Sequence, residues 1–396
     1  MHELAQRPEY LSDLRSFRDV RELVKIITGV RRCGKTTILL QFIEELRLDG
    51  VSDEEILMID LESPEFSSII DHSQLNSYLR DTIPRTGRFY LFLDELQRVK
   101  DWEKTASALL VDTEADIYII SSDADLLSGH YTTYMAGRYV EFRMLPLSFR
   151  EYFGFRGNGR HARDVLEEYF CYGGFPNVDP ENGERAASVT LEDVYSSIVL
   201  KDMISCGKVR KPEELERMIR YLMRNNGDPI ENSVLSKALD MNPRTVERYL
   251  EIIQSAYLIY RSDRLDPKTD TRSPTPTYYA VDPGLLNSST SESDCRLRVI
   301  RDVVFLELKR RGYRVFSGRS DTEDVHFITD MKGRKAYWQV CLGYYDDRTE
   351  ERELAPLRAI RDNNPKTVIL MDVRGVTFTG DGIREMGMTD FLLEEI

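Results

Sequence analysis

The stretch Val24-Lys25-Ile26-Ile27-Thr28-Gly29-Val30-Arg31-Arg32-Cys33-Gly34-Lys35-Thr36-Thr37 decides the fold. Residues 24–28 are a short, largely β-branched run ending at a glycine, which predicts a buried strand. Residues 29–36 fit the pattern GxxxxGK[ST]. Residues 35–48 then place Ile38, Leu39, Phe42 and Leu46 at helical spacing. A strand directly before this pattern and a helix directly after it are the context that makes it a phosphate-binding loop. Glycines let the backbone wrap, so that successive N–H groups form an anion nest at a helix N-terminus. Lys35 brings a point charge to the β- and γ-phosphates, and the Thr36 hydroxyl is a ligand for Mg²⁺. The expected nucleotide contacts are Gly29, Arg32, Cys33, Gly34, Lys35, Thr36 and Thr37.

A second element supports the first. Phe89-Tyr90-Leu91-Phe92-Leu93-Asp94-Glu95 is an apolar strand ending in two acids. Asp94 at the tip is expected to hold the Mg²⁺ shell, and Glu95 to orient and deprotonate the attacking water. A water-activating glutamate beside the metal aspartate favours hydrolysis over transfer to a metabolite. Lys35 and Asp94 are 59 positions apart, with one extra strand (56–61) between them in sequence, which leaves room for a strand inserted between the loop strand and the acid strand. Residues 117–121 and 139–144 read as further strands, and the strand–helix alternation predicts an α/β layer with a parallel sheet. Ser122-Asp123, just after a strand, either contacts the γ-phosphate or caps the next turn. Arg138, just before the following strand, suits an arginine finger that acts on a neighbouring subunit of a homo-oligomer, as against a surface arginine.

Outward from this core, Ser148 and Glu151 form a capping box that starts a helix. A polar break at 158–160 is followed by helical pattern to 209. Residues 213–224, 232–239 and 244–255 read as helices and 257–261 and 277–281 as strands, which is the order of a winged helix. A polar linker at 287–294 leads to a last α/β segment, with strands at 313–316, 325–329, 336–340 and 367–372 and a helix at 350–362. The expected organisation is an ATPase core over 1–157, a helical lid over 158–210, a winged-helix-like region over 211–286 and a compact domain over 295–396.

The 396 residues include 54 Lys and Arg against 68 Asp and Glu, a formal net charge of −14. Such an acidic chain is not a general polyanion binder. One segment runs the other way: Arg296, Arg298, Arg301, Lys309, Arg310, Arg311, Arg314 and Arg319 outnumber Asp302 and Glu307 by six charges. That segment and the winged-helix region make DNA a candidate partner, alongside an unidentified protein. Five scattered cysteines without a CxxC fit a reducing cytoplasm. No run of about 18 apolar residues exists to span a membrane, and the N-terminus lacks a secretory core.

The stretches ITGVRRCGKTTIL, LFLDELQRVKDWE, GRYVEFRMLPLSFREYF, CYGGFP and TYYAVDPGLLN resemble a widespread prokaryotic AAA+ family that joins a P-loop ATPase to a winged-helix region and a C-terminal restriction-endonuclease-like domain. The resemblance implies ATP and Mg²⁺ at Lys35, Thr36, Asp94 and Glu95, Arg138 as the finger and Ser122-Asp123 as the sensor. The nuclease-like domain departs from the pattern. Two carboxylates must hold a catalytic metal, yet Arg301 stands beside Asp302 on the helix, the strand tip reads Asp324-Val325-His326, and Gln339-Val340-Cys341 lacks both acid and lysine. The expectation is a scaffold that does not cleave, with Asp324 and Gln339 the only residual metal donors.

Overall fold

A computed structural model describes residues 4–84, 87–127, 135, 137–205, 207, 209–289, 295–318, 324–344 and 346–394. The contacts divide the chain into two compact units. The first comprises 1–145 with 255–257, and the second 146–254 with 258–396.

The first unit is a parallel five-stranded sheet. After the helix α1 (Pro8–Ser16) come β1 (Val24–Gly29), α2 (Lys35–Leu48), β2 (Ile56–Asp60), α3 (His72–Thr82), β3 (Phe89–Asp94), α4 (Trp102–Asp112), β4 (Ala115–Ser121) and β5 (Tyr139–Met144). The spatial order is β2-β3-β4-β1-β5. The strand between the loop strand β1 and the acid strand β3 is therefore β4. The strand expected there from its place in sequence, β2, lies at the sheet's edge. Every residue of β1, β3 and β4 is buried, as continuous apolar strands covered on both faces must be. The polar residues among them need partners, the ammonium of Lys25 most of all. Lys25, in β1, is fully buried and pairs with the equally buried Asp116 of β4, its Nζ also donating to the Val20 carbonyl at 2.6 Å.

The second unit is a separate assembly with its own sheet. Helices at Phe149–Arg156, Ala162–Tyr172 and Glu184–Ser197, the last continued by a π-helical stretch over Ile198–Ser205, lead to three helices at Pro212–Arg224, Asn232–Leu239 and Pro243–Ser255. The Ser148 capping box is present, with Ser148 Oγ accepting from Glu151 N–H and the Glu151 carboxylate accepting from Ser148 N–H at 2.7 Å. An antiparallel hairpin of β6 (Ile259–Leu265) and β7 (Arg272–Ala280) follows. After helices at Pro283–Ser288 and Cys295–Arg310 come β8 (Arg314–Gly318), β9 (Phe327–Met331), β10 (Arg334–Cys341), a helix at Asp347–Arg358, β11 (Lys366–Leu370), β12 (Val376–Phe378), β13 (Arg384–Gly387) and a helix at Met388–Leu393. The hairpin does not close a domain of its own. β6 pairs in parallel with β8, so that the hairpin and the C-terminal strands form one eight-stranded sheet, β12-β13-β11-β10-β9-β8-β6-β7. The contact division accordingly falls after Leu145 rather than after residue 157, and it keeps 158–210, 211–254 and 295–396 in one unit.

Two of the quoted stretches meet inside this second unit. The buried Asp282 carboxylate accepts from Gly284 N–H (2.9 Å) and Leu285 N–H (3.2 Å) as a helix cap, and from Gly174 N–H at 2.7 Å. A Cβ on Gly173, whose φ is +77°, would stand 2.0 Å from Asp282 Oδ1. The glycines of CYGGFP and the aspartate of VDPGLL are thus one structural joint. Burial pushes the Asp282 carboxyl up to about 6 despite its three N–H donors.

Candidate active site

The site begins where β1 ends. Gly29 has φ +150°, and a Cβ there would sit 2.1 Å from the Met144 carbonyl oxygen of β5, so the loop leaves the sheet through a gap only glycine fits. Gly34, at φ +103°, stands as the uncapped N-cap of α2, leaving the first N–H groups of that helix for an incoming anion. Between them Arg32 takes φ +66° and is exposed, while Cys33 is buried with its thiol towards the Met144 carbonyl. Sequence reasoning missed the residue that braces this loop from behind. Arg7, 3% exposed, donates to the Cys33 carbonyl at 3.2 Å and to the Leu145 carbonyl at 2.9 Å.

Lys35 folds back onto its own loop, donating to the carbonyls of Gly29 (2.8 Å) and Val30 (3.0 Å). Thr36 Oγ1 donates to Asp94 Oδ2 at 2.7 Å, which joins the start of α2 to the tip of β3. The other carboxylate oxygen, Asp94 Oδ1, is buried with no hydrogen-bond partner. Burial raises the Asp94 carboxyl to about 6; the Thr36 hydrogen bond works against that shift, and the neighbouring Glu95 adds to it. A hydroxyl and an orphaned carboxylate oxygen side by side are the hard donors that Mg²⁺ takes, so these residues fit the ion. Thr37, on the next position of α2, is half-buried.

Glu95 is 8% exposed and takes the left-handed conformation, φ +55°, which turns its side chain out of the strand line. Its Oε2 accepts from Gln97 Nε2, from Ser122 Oγ at 3.0 Å and from Arg31 Nη2 at 3.4 Å. Ser122 therefore reaches the site, through Glu95. Asp123 instead accepts from Asp125 N–H at 2.8 Å and receives a brace from Ser121, which is the capping alternative. Arg31 and Gln97 lay outside the expected contacts. Gln97 is signalled only by sitting two residues after the acid.

Residues 21–153 match a family described as an AAA domain, and residues 163–295 a domain of unknown function. An uncharacterized protein of Haemophilus influenzae is 31% identical over 99% of both chains, and the uncharacterized protein MJ1544 of Methanocaldococcus jannaschii is 26% identical over 98% of this chain and 89% of its own. The chain belongs to a family of prokaryotic AAA+ P-loop ATPases. Among solved structures, the Aeropyrum pernix Orc1 protein in complex with DNA covers 78% of this chain and 95% of its own at 13% identity, with a TM-score of 0.31, too distant a likeness to carry any argument.

Two other expectations about this AAA+ chain fare differently. Arg138 does not join its own site. Val24 pairs with Tyr139 in register, so Arg138 precedes the start of β5, at the sheet end opposite the phosphate loop. Six residues of strand separate the two ends, about 20 Å. Arg138 is exposed there. The basic segment is no free basic patch either. Arg296 pairs with Glu167 (2.5 Å), Arg298 with Asp228 (2.8 Å), and Arg311 with Glu307 (3.0 Å) and Glu394 (3.1 Å). Arg310 donates to the Pro146 carbonyl, Arg301 is largely buried, and Lys309 lies over the Tyr260 and Phe305 rings. Arg314 is exposed against Phe316, and Arg319 lies outside the described residues. Three acids outside the segment, Glu167, Asp228 and Glu394, thus offset half of its six-charge surplus.

The C-terminal positions are likewise engaged inward. Asp302 is fully buried and accepts from Asn226 Nδ2 and Ala280 N–H. Asp324 pairs with Arg264, and Gln339 Oε1 accepts from His326 N–H at 3.2 Å. His326 Nδ1 accepts from Val340 N–H at 2.9 Å, and burial holds its imidazole well below the usual range. The Cys341 thiol donates towards Glu353. Among the described residues, no three His, Cys, Asp or Glu side chains converge to hold a metal. Asp324 and Gln339 each make a protein contact in this structure.

Proposed function

We propose that this protein binds ATP with Mg²⁺ and hydrolyses it at the site formed by Lys35, Thr36, Asp94 and Glu95. The observation that carries the reading is the Thr36–Asp94 hydrogen bond with Asp94 Oδ1 left unpartnered in a buried position. A buried unpartnered carboxylate oxygen calls for an explanation, and here, beside the Thr36 hydroxyl at the phosphate loop, a bound cation supplies one. The nest of N–H groups ahead of α2 holds the phosphates, and Lys35 leaves its two carbonyls to meet the β- and γ-phosphate oxygens. Thr36 and Asp94 would hold Mg²⁺, which when bound would offset the charge that develops on the phosphates. Glu95 orients the water and takes its proton, with Ser122 fixing the carboxylate. Turnover would reposition the helical, winged-helix-like and C-terminal segments. Arg138 supplies transition-state charge only in a homo-oligomer, to a neighbour's site. The protein works in the cytoplasm, on a protein partner or on DNA held by the winged-helix-like segment.

A nucleotide-controlled switch with negligible turnover is the second reading, favoured by the three donors that occupy Glu95 Oε2. Steady-state ATP hydrolysis with and without duplex DNA at moderate salt, against Glu95→Gln as blank, separates the two. Turnover above the blank supports the hydrolase, and a rise with DNA names the partner. Tight ATP binding without turnover above the blank overturns hydrolysis and leaves the switch. Failure to bind ATP overturns both.

A further inference from the structure

Arg31 is the cation that the function has not absorbed. It is the third residue of the phosphate-binding loop, its side chain is 11% exposed, and it bridges two carboxylates. Nη1 donates to Glu62 Oε2 at 2.8 Å, and Nη2 donates to Glu95 Oε2 at 3.4 Å. Glu62 lies just beyond the end of β2, at the same end of the sheet as the loop, because β2 and β3 run parallel with Asp60 opposite Asp94. Arg98 approaches the other Glu62 oxygen at 3.7 Å.

These distances are unequal, and the inequality matters. The shorter bond anchors Arg31 to Glu62, while the longer one is the looser contact, to the residue that would activate water. A carboxylate that aligns the attacking water stands about one water away from the terminal phosphate. A cation bonded to that carboxylate is therefore within a side-chain rotation of the same phosphate. A terminal phosphate carries more charge than either carboxylate and offers the planar guanidinium two oxygens at once. ADP offers nothing at that position.

We propose that Arg31 is the residue by which the site distinguishes ATP from ADP. Without a γ-phosphate it rests on Glu62 and holds Glu95. With one, it turns to the phosphate oxygens and leaves the Glu95 carboxylate to the water. Glu62 is the rest from which it departs. This deepens the ATPase reading and depends on it.

The test is the ratio of ATP to ADP affinity, measured with fluorescent analogues of both nucleotides in Mg²⁺, together with kcat and KM. Four forms of the full chain are compared: wild type, Arg31→Ala, Arg31→Lys and Glu62→Gln. Arg31→Ala should lower ATP affinity by about tenfold with ADP affinity unchanged, the size of a lost charge-assisted bond pair, and should lower kcat. Arg31→Lys, which keeps the charge and loses the fork, should fall between. Glu62→Gln should move the ratio the other way, strengthening ATP by a few-fold, because the guanidinium is no longer held back. A merely structural ion pair would weaken both nucleotides alike from either end. The lever is overturned if Arg31→Ala and Glu62→Gln shift the ratio in the same direction, or if neither shifts it while wild type binds both nucleotides. Wild type that binds neither nucleotide overturns the ATPase reading, and this proposal with it.

Discussion

The two ends of β1 carry the same chemistry and put it to opposite uses. Near its start, the ammonium of Lys25 is buried against the Asp116 carboxylate, with Tyr118 Oη donating to Asp116 at 3.0 Å and the Val20 carbonyl accepting a further hydrogen bond from the ammonium. Just past its end, the ammonium of Lys35 is almost as buried but donates to the loop carbonyls of Gly29 and Val30, while Asp94, at the tip of β3, keeps one oxygen unpartnered. One lysine–aspartate set is closed; the other is held apart. A closed pair adds no chemistry and fixes strand register. An open one is destabilising by itself and waits for a polyphosphate and a cation to complete it.

Breaking the open end should cost function and spare the fold. The largest effect expected is on turnover. Glu95→Gln keeps the shape and the Ser122 contact and removes the base, so kcat should fall by about 10² to 10⁴ with ATP binding retained. Lys35→Ala should remove ATP binding itself, read by titration with a fluorescent analogue. Normal hydrolysis in both variants would end the assignment.

Breaking the closed end should do the reverse. Asp116→Ala leaves the Lys25 ammonium buried without its carboxylate, which costs about 3–5 kcal/mol in unfolding free energy. Desolvation already pulls the Lys25 ammonium below its usual range, so the lysine will shed part of that cost by losing its proton. Denaturant unfolding checks the magnitude. Where the variant still folds, its nucleotide affinity should match wild type, since Asp116 sits at the far end of the sheet from the loop.

The comparison sharpens at Asp94. Asn there is nearly the same size but carries no charge to bury. Asp94→Asn should therefore raise stability in the absence of Mg²⁺ and nucleotide by up to about 3 kcal/mol, as expected for a carboxyl lifted from 3.8 to about 6 by burial. The same change should abolish Mg²⁺-dependent hydrolysis. A variant that is less stable than wild type would mean that Asp94 is a structural acid like Asp116.

How much of this was legible beforehand depended on the range of the interaction. β1, α2 and β3 could be read because a strand, a loop and a helix adjacent in sequence carry their own periodicities and turn residues. The position of β4 between β1 and β3 could not, because no local pattern encodes which buried strand lies beside which. The joint of Gly173, Gly174 and Asp282 spans more than a hundred residues, so its two motifs read as unrelated. The basic helix Cys295–Arg310 misled for the same reason. Arg296 and Glu167, or Arg311 and Glu394, are far apart in sequence, and counting charge within a window finds the surplus without its partners. Lys25 was legible as a lysine in an apolar strand, but its partner was not. At the site, Asp94 and Glu95 stood out because two acids end an apolar run, whereas Arg31 is one of two adjacent arginines in a loop, and only geometry separates the one that faces the carboxylates from the exposed one.

The last effect belongs to the second unit and runs with pH. Asp282 is fully buried, and its carboxyl sits at about 6 in the folded chain against 3.8 unfolded. Below about pH 4 it is protonated in both states and its ionisation does not bear on stability. Between 4 and 6 the unfolded chain ionises first, so stability contributed by this group falls as pH rises, by about 3 kcal/mol in all, and then levels once both states are ionised. Asp282→Asn removes the titration while the side-chain oxygen still accepts from Gly174, Gly284 and Leu285. The difference between the wild-type and Asn unfolding curves, taken at half-unit steps from pH 4 to 7.5, should slope downward for wild type relative to Asn up to about 6 and be flat above it. A difference that does not fall between pH 4 and 6 would mean that the three N–H donors stabilise the charged carboxylate more than burial penalises it, holding the folded carboxyl at or below 3.8. Asp282 would then be a closed site like the Lys25 pair, complete as an anion, and the joint between the two motifs would draw its strength from charge rather than from fit.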